Sequence, residues 1–497
     1  TKLTVWLSVM QLWEQGKINL EEDIRTYLPE GFLKNLRYDK PITMLDLMNH
    51  QAGFDEVTMY LQDDKSIEEI LKEQQPIQSF EPGTVTAYSN YGAGLAALII
   101  ERISGQTFAD YAHEHIFQPL GMDKTAILPD LSDNSYVQKK RQETKGYDTK
   151  GNLLSKDHFI TSIYPIGAAT GTMKDLEKFA QALLARKTLF ERPETWNTLY
   201  TASSTYPDTD IIRNAHGFWA NEYGTTVLGH GGNTADSTSR IMLDLEHGIG
   251  YVVMTNQGTE QNYNFQMPEL VFGPRKTASK ETKEQFSPGY YRTLRNFNQG
   301  PLAIFKMIPA SADYLQEPSD DQRLPNNFWT IYQSQGKTRI AVAVADYEKV
   351  SDFDFFKDYV VLGFAGLGII YALGLLIISP LLGVYRLIFR KKQDQPDRTW
   401  KVWNLLTAVG ILAVLINLFL LFMSATSGDF SEIAQWRYML FAALGLLLTS
   451  AALLPLFRKF REKLSKGRLF LTSVTSLSAL AVAANILYWS LYQWWVF

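Results

Sequence analysis

Four long apolar stretches free of Asp, Glu, Lys, Arg and His run Tyr359–Tyr385, Val402–Gly428, Tyr438–Phe457 and Leu469–Phe497. A helix needs about 20 such residues to cross a hydrocarbon core, and every stretch is long enough. Four of them in the last third of one chain argue against buried helices of a soluble protein. The sequence predicts an all-α, four-span membrane domain over 351–497, with spans near 359–385, 402–427, 438–457 and 469–491. With no ionisable residue inside any span, the pattern reads as an anchor rather than an ion-coupled transporter. Gly363, Gly366 and Gly368 permit close helix approach and are equally ordinary in membrane helices.

Charge sets the expected orientation. Arg386, Arg390, Lys391, Lys392, Arg398 and Lys401 lie between the first two spans, and Arg458, Lys459, Arg461, Lys463, Lys466 and Arg468 between the last two. The remaining loop has Arg437 against Asp429 and Glu432. Basic loops stay cytoplasmic, so everything before Tyr359 is expected outside, with Tyr488, Trp489, Tyr492, Trp494 and Trp495 as an outer aromatic belt. The net charge of −4 divides into +7 from Asp358 onward and −11 before it. An acidic front speaks against nucleic acid as a partner, which needs a basic face. The lack of cysteine excludes disulfides, thiol nucleophiles and Cys-ligated metals, and leaves the redox compartment open. The chain opens at Thr1, inside a helical pattern, and reads as a fragment whose natural start lies upstream.

In the front part, helical periodicity runs Leu3–Gln15, with Leu3, Leu7, Met10 and Leu12 toward a core and Gly16 as the stop. Further helices are expected at Thr43–Asn49, capped by Thr43, at Tyr88–Arg102, at Phe108–Ile116 and at Lys174–Ala185. Strands then cluster at Gly217–Trp219, Thr225–Gly229, Ser239–Leu243 and Gly248–Thr255. Helices first and antiparallel strands last predict an α+β domain over 1–265. A polar stretch to Ser287 reads as a terminal helix or linker. Short strands at Phe328–Gln333 and Thr338–Val344, beside a Glu317-Pro318-Ser319-Asp320 turn, make 266–350 a linker plus a small β-rich juxtamembrane module.

Metal and nucleotide chemistry have no foothold in the motifs. The seven histidines form no HExxH, His113 and His115 point apart on a helix, and there is no GxxxxGK[ST] loop. No cofactor is expected. What remains is a scattered set: Lys2 at the first helix start, Tyr88-Ser89-Asn90 at a helix start after Phe80-Glu81-Pro82-Gly83, and His230-Gly231-Gly232-Asn233 at a strand end. Singly, each reads as a solvated lysine, a core tyrosine or a turn.

In this order they resemble the serine β-lactamase and penicillin-binding-protein superfamily, in the branch of class C β-lactamases, D-peptidases and related esterases. That family pairs Ser-x-x-Lys on a helix with Tyr-x-Asn and with a Lys/His–Thr/Ser/Gly–Gly edge strand. Ile42–Gly53 resembles its segment ending in a His-x-x-Gly turn, Ile116-Phe117-Gln118-Pro119-Leu120-Gly121-Met122 its "IFxPLGM" stretch, and Gly171–Leu176 the start of a later helix. The resemblance covers about residues 1–260. It implies a β-lactamase/transpeptidase-like fold, with an antiparallel sheet and a helical cluster, that is N-terminally truncated here.

It also implies roles. A buried Lys2 would take the proton of a serine one helical turn before it. Tyr88 would be partner base or proton relay, its phenol ionised more easily by nearby cations. Asn90 would hold Lys2 and the substrate amide. His230 would stand where the family has Lys or His, and the Asn233 N–H would be half of an oxyanion hole. The serine falls two positions before Thr1, so this polypeptide alone is expected to be inactive. With His230 and Gly231 at the third motif, permanent charge and hydroxyl are both expected to be missing. β-Lactam hydrolysis therefore ranks below hydrolysis of a peptide (D-amino-acid) amide or ester, or of a peptidoglycan-like substrate.

The whole is expected in a bacterial cytoplasmic membrane, multi-pass, in contact with the lipid bilayer. The architecture is similar to membrane-bound peptidases that unmask natural-product precursors, such as the colibactin-activating peptidase, although those have three spans. The rival expectation is a non-catalytic, penicillin-binding-like ligand binder or sensor. Against it stands the joint presence of Lys2, Tyr88 and Asn90, which a binder has no chemical reason to keep.

Overall fold

The structure, a computed structural model, describes residues 1–56, 65–154, 163–298, 304, 306–307, 312–316, 328–389, 398–427, 433–457, 460 and 464–494. It divides into two compact units, Thr1–Asn298 with Asp313–Val350, and Gln299–Ala312 with Ser351–Phe497.

In the first unit, the helix Lys2–Glu14 is buried without a break from Lys2 to Leu12. The amphipathic face expected from Leu3, Leu7, Met10 and Leu12 is replaced by burial all round, because other helices, among them Asn90–Ser104 and Pro193–Tyr200, pack on it. Short helices start where their caps dictate. Thr43 forms a capping box with Asp46 ahead of Met44–Met48, and Ser89 caps Asn90–Ser104, which ends at Gly105 in the left-handed conformation. The helix expected over Phe108–Ile116 is α-helical to Ala112 and then widens into a π turn over His113–Phe117.

A two-stranded ribbon joins β1 (Thr125–Ala126) to β2 (Thr170–Gly171). The main sheet is antiparallel in the order β3 (Ser204–Thr205), β4 (Ile212–Ala215), β5 (Phe218–Glu222), β6 (Thr226–Asn233), β7 (Thr238–Asp244), β8 (Ile249–Thr255). One face, with Leu228, Ile241 and Leu243, meets the helical core; the other, with Val227 and Met242, packs on Tyr223 and Phe272. β8, an uninterrupted apolar run at Ile249–Met254 save for Gly250, forms the sheet edge, and Ile249 and Met254 are exposed there. β5 pairs with β6 only from Thr226 to Gly229, so His230–Asn233 extends past the end of its neighbour.

The turn His50-Gln51-Ala52-Gly53 needs its glycine. Gly53 has φ +81°, its carbonyl accepts the Ser79 and Phe80 N–H groups at 2.8 and 3.2 Å, and the Phe80 carbonyl fills the place a Cβ would take. Gly53→Ala is expected to destabilise the unit by at least about 2 kcal/mol, read by chemical denaturation. A midpoint within error of the parent would show that the turn relaxes.

The second sheet, β9 (Gly289–Thr293) to β13 (Asp346–Val350), has the order β10 (Ala312–Leu315), β9, β13, β12 (Lys337–Ala341), β11 (Thr330–Ser334). Its core is Tyr291, Leu315, Trp329, Ile340, Val342 and Tyr347. It belongs to the same compact unit as the main sheet. The joint is polar and buried. Arg213 of β4 pairs with Asp346 of β13 at 2.7 Å, both side chains at most 2% exposed. Asp346 also accepts the Thr86 N–H at 3.0 Å and the Tyr332 hydroxyl at 2.6 Å. The Ala87–Ala345 bridge and the Tyr88 N–H to Val344 carbonyl bond, 3.0 Å, continue the seam.

Among the described residues, the second unit has four helices long and apolar enough to cross a membrane: Asp352–Ile388, Thr399–Ser424, Gln435–Leu456 and Lys466–Tyr488. They associate through polar side chains as well as packing. The Thr475 hydroxyl donates to Asn404 Oδ1 at 2.6 Å, Trp400 Nε1 donates to Thr472 at 2.8 Å, and Asn485 Nδ2 donates to the Val361 carbonyl at 2.8 Å. Such bonds hold helices together where no hydrophobic difference between lipid and side chain exists. Of Gly363, Gly366 and Gly368 in the first span, Gly368 lies against Ser478 of the fourth, where an added Cβ would come within 3.1 Å of its carbonyl; the other two have open space beside them. Arg390, Lys391, Lys392, Arg458, Lys459, Arg461, Lys463, Asp429, Glu432, Trp495 and the Glu317–Asp320 turn lie outside the described residues.

Candidate active site

Lys2, at the first position of its helix, is 6% exposed, and its Nζ donates to the Ile166 carbonyl at 2.7 Å. The ammonium nitrogen lies 5.0 Å from the centre of the Tyr88 ring. Burial pushes the Lys2 pKa down to about 7; Glu56 opposes this, and Arg295 adds to it. A neutral amine is thus available near neutral pH.

Tyr88 is delivered by the stretch that runs along the second sheet into the Ser89 cap. Its ring stacks on His50 at 4.3 Å and lies 6.2 Å from the His230 ring. Burial raises the phenol's pKa, outweighing the lowering by Arg295, with Glu56 raising it further. The expectation that nearby cations ionise this phenol is therefore corrected, because removing it from water costs the phenolate more than one adjacent guanidinium returns. Tyr88 is therefore held protonated, and Lys2 is the group beside it whose proton is loosened.

Asn90 faces elsewhere than expected. Its Nδ2 and backbone N–H each donate to the Glu56 carboxylate at 3.2 Å, while the Lys2 amine donates to the Ile166 carbonyl. Glu56, 2% exposed, is thus the carboxylate that holds Asn90 and also raises the Lys2 pKa.

His230 donates from Nδ1 to the Gly231 carbonyl at 2.6 Å, since a carbonyl can only accept. That tautomer leaves Nε2 as a lone pair, buried and without a hydrogen-bond partner among the described residues. Burial, then the charge of Lys2, lowers the His230 pKa to about 3, so the ring is neutral at pH 7. His50 is its counterpart: Nδ1 accepts the Ser89 N–H at 3.1 Å, the proton sits on Nε2, and the ring is sandwiched between Tyr88 and Trp219. Asn233 ends β6. Its Oδ1 accepts the Thr259 N–H at 2.8 Å and the Thr238 hydroxyl at 2.9 Å, which pins the backbone beyond the end of β5.

Lys2, Tyr88 and His230 thus converge, with Asn90 joined to them through Glu56. Sequence reasoning missed Glu56 and Arg295, which no spacing could link across the chain, and the part His50 plays in stacking on Tyr88. It also missed Arg240. This residue pairs across the strands with Gly231, and its Nη2 lies 3.9 Å from where a Gly231 Cβ would be. Neither His230 nor Gly231 carries a permanent charge; on the neighbouring strand the Arg240 guanidinium stands beside the open Gly231 position and 4.3 Å from the centre of the Phe265 ring.

The Beta-lactamase family model matches residues 1–272, more than half of the chain. The chain belongs to the Beta-lactamase family. Similar proteins include Protein flp of Staphylococcus aureus, 23% identical over 283 residues, which are 54% of this chain and 53% of that protein. The unguisins hydrolase ungD' of Aspergillus campestris is 25% identical over 266 residues, 50% of this chain and 48% of that one. The chain spans about half the length of the curated relatives it matches. Among solved structures, the D-amino acid amidase of Ochrobactrum anthropi SV3 is 25% identical with TM-score 0.44, over 54% of this chain and 82% of that one. This Beta-lactamase family domain is followed in the same chain by the four apolar helices.

Proposed function

We propose that the intact protein is a membrane-anchored serine hydrolase, acting outside the cytoplasm through an acyl-serine intermediate on peptide (D-amino-acid) amides or esters. The observation that carries this reading is a buried Lys2 amine, lowered to about pH 7, 5.0 Å from the Tyr88 ring. The nucleophile is a serine three residues before Lys2. Its Oγ attacks the carbonyl carbon while its proton passes to neutral Lys2. The oxyanion forms against the Asn233 N–H and the serine's own N–H. Collapse breaks the C–N or C–O bond, and the Lys2 ammonium returns its proton to the leaving group through the Tyr88 hydroxyl. Water then cleaves the acyl-serine.

Neutral His230 favours an uncharged group beside it, which supports amides and esters as the groups cleaved. The name of the unguisins hydrolase is consistent with hydrolytic chemistry on this family's fold. The basic loops of the sequence support a catalytic domain on the outer face of a bacterial cytoplasmic membrane.

Full-length protein in detergent micelles, treated with a fluorophosphonate, is expected to carry the adduct on that serine. Tyr88→Phe is expected to keep the fold and slow labelling about 100-fold, since it removes a proton relay and leaves the acceptor. An adduct elsewhere, or labelling unaffected by Tyr88→Phe, would sink the assignment.

A further inference from the structure

The family match stops at residue 272, yet the site leans on a segment beyond it. Directly after β9, Arg295 donates through Nε and Nη2 to one oxygen of Glu56, at 3.2 and 2.8 Å, and its guanidinium carbon stands 4.7 Å from the centre of the Tyr88 ring. The segment is anchored at both ends of this contact. The Leu294 N–H donates to the Asp346 carbonyl at 2.8 Å, and the Glu56 N–H donates to the Asn296 carbonyl at 2.9 Å. Leu294 also packs with Val85 and Ala87, on the stretch that leads to Tyr88. Glu56 in turn holds both amide groups of Asn90. A cation from the second sheet therefore lies on the relay tyrosine and on the one carboxylate that acts on Lys2.

We propose that Arg295 is a positioning residue of this active site, supplied by the second sheet, and that it sets the pH range over which Lys2 accepts the serine proton. The proposal rests on the serine-hydrolase reading above. In the intact chain, where Thr1 carries a peptide bond, the charged and titratable groups facing Lys2 are Glu56, Arg295, Tyr88, His50 and His230. His50 and His230 are held neutral by burial, and Tyr88 is held protonated. That leaves Glu56, which favours the Lys2 ammonium, and Arg295, which disfavours it and pairs with Glu56. Without Arg295 the carboxylate acts on Lys2 unopposed, and a higher pH is needed to free the amine. Without Glu56 the sign reverses.

The test is the pH dependence of fluorophosphonate labelling of full-length protein in micelles. The acid limb of the wild type is expected near pH 7. Arg295→Gln is expected to move it up by about one pH unit, so that labelling at pH 6 falls about tenfold while most of the high-pH plateau remains. Arg295→Lys restores the limb. Glu56→Gln moves it the other way, which keeps the proposal testable if Arg295→Gln does not fold. A limb unmoved in either folded variant, or a uniform loss at every pH, overturns the proposal and leaves the hydrolase reading standing. A wild-type protein that fails to label overturns both.

Discussion

Lys2→Met in the full-length protein is expected to slow acyl transfer about 10,000-fold, the upper end of what a general base supplies. Lys2 warrants the larger figure because the proposed mechanism makes it the proton acceptor and burial lowers its pKa to about 7, whereas His230 keeps its proton only well below that range. The same substitution should not weaken the fold at pH 7. The Lys2 pKa is about 7 in the folded chain against an ordinary 10.5, so between those values the unfolded chain binds more protons and stability rises with pH. Below pH 7 the full penalty stands; above 10.5 it is gone. At pH 7 it is about 4 kcal/mol, which exceeds the roughly 1–3 kcal/mol of leaving the Ile166 carbonyl unpaired. Melting of Lys2→Met beside the wild type at pH 7 and pH 10 reads this directly: the variant should be at least as stable at pH 7 and lose ground at pH 10. Labelling within tenfold of the wild type would remove Lys2 from the mechanism.

Asp346→Leu is expected to destabilise the first unit by about 3–5 kcal/mol, the effect of stranding a buried charge. Arg213 is 2% exposed and would keep its carbonyl acceptors but lose its carboxylate. The Thr86 N–H and the Tyr332 hydroxyl would lose an acceptor as well. Arg213→Met together with Asp346→Leu should recover much of the loss, because a buried ion pair replaced by apolar groups of similar volume is close to neutral. Urea denaturation of the two single variants and the pair forms a complete cycle. Since residues 86–88 hang on this joint, the single variants should also label more slowly with a fluorophosphonate. Additive losses in the pair would show that Arg213 and Asp346 act separately.

The limits of reading this chain follow from the range of the forces involved. The spans were legible because lipid imposes a length and a charge rule on consecutive residues. The capped helix start at Thr43 was legible because a cap and its orphan N–H groups lie within three residues of each other, whereas the Ser89 cap, one residue after the expected start at Tyr88, was not read. Lys2, Tyr88 and His230 were legible through the order of short motifs, which is enough to nominate residues and not enough to orient them. Asn90 shows the difference: its place at the helix start could be read, while its partner, Glu56, is a contact between segments 34 residues apart.

What only the tertiary structure decided are the properties that depend on being out of water and near distant charge. No local pattern distinguishes a helix buried all round at Lys2–Leu12 from an amphipathic one, and that burial is what lowers the lysine. No local pattern makes the Tyr88 phenol harder rather than easier to ionise. Nor does any connect Arg295 to Glu56, 239 residues apart, because an ion pair is fixed by where the two chain segments come to rest rather than by their spacing. The sequence by itself determined which elements form and which chemical groups are available; the fold decided their protonation, their partners and the part the second sheet takes in the site.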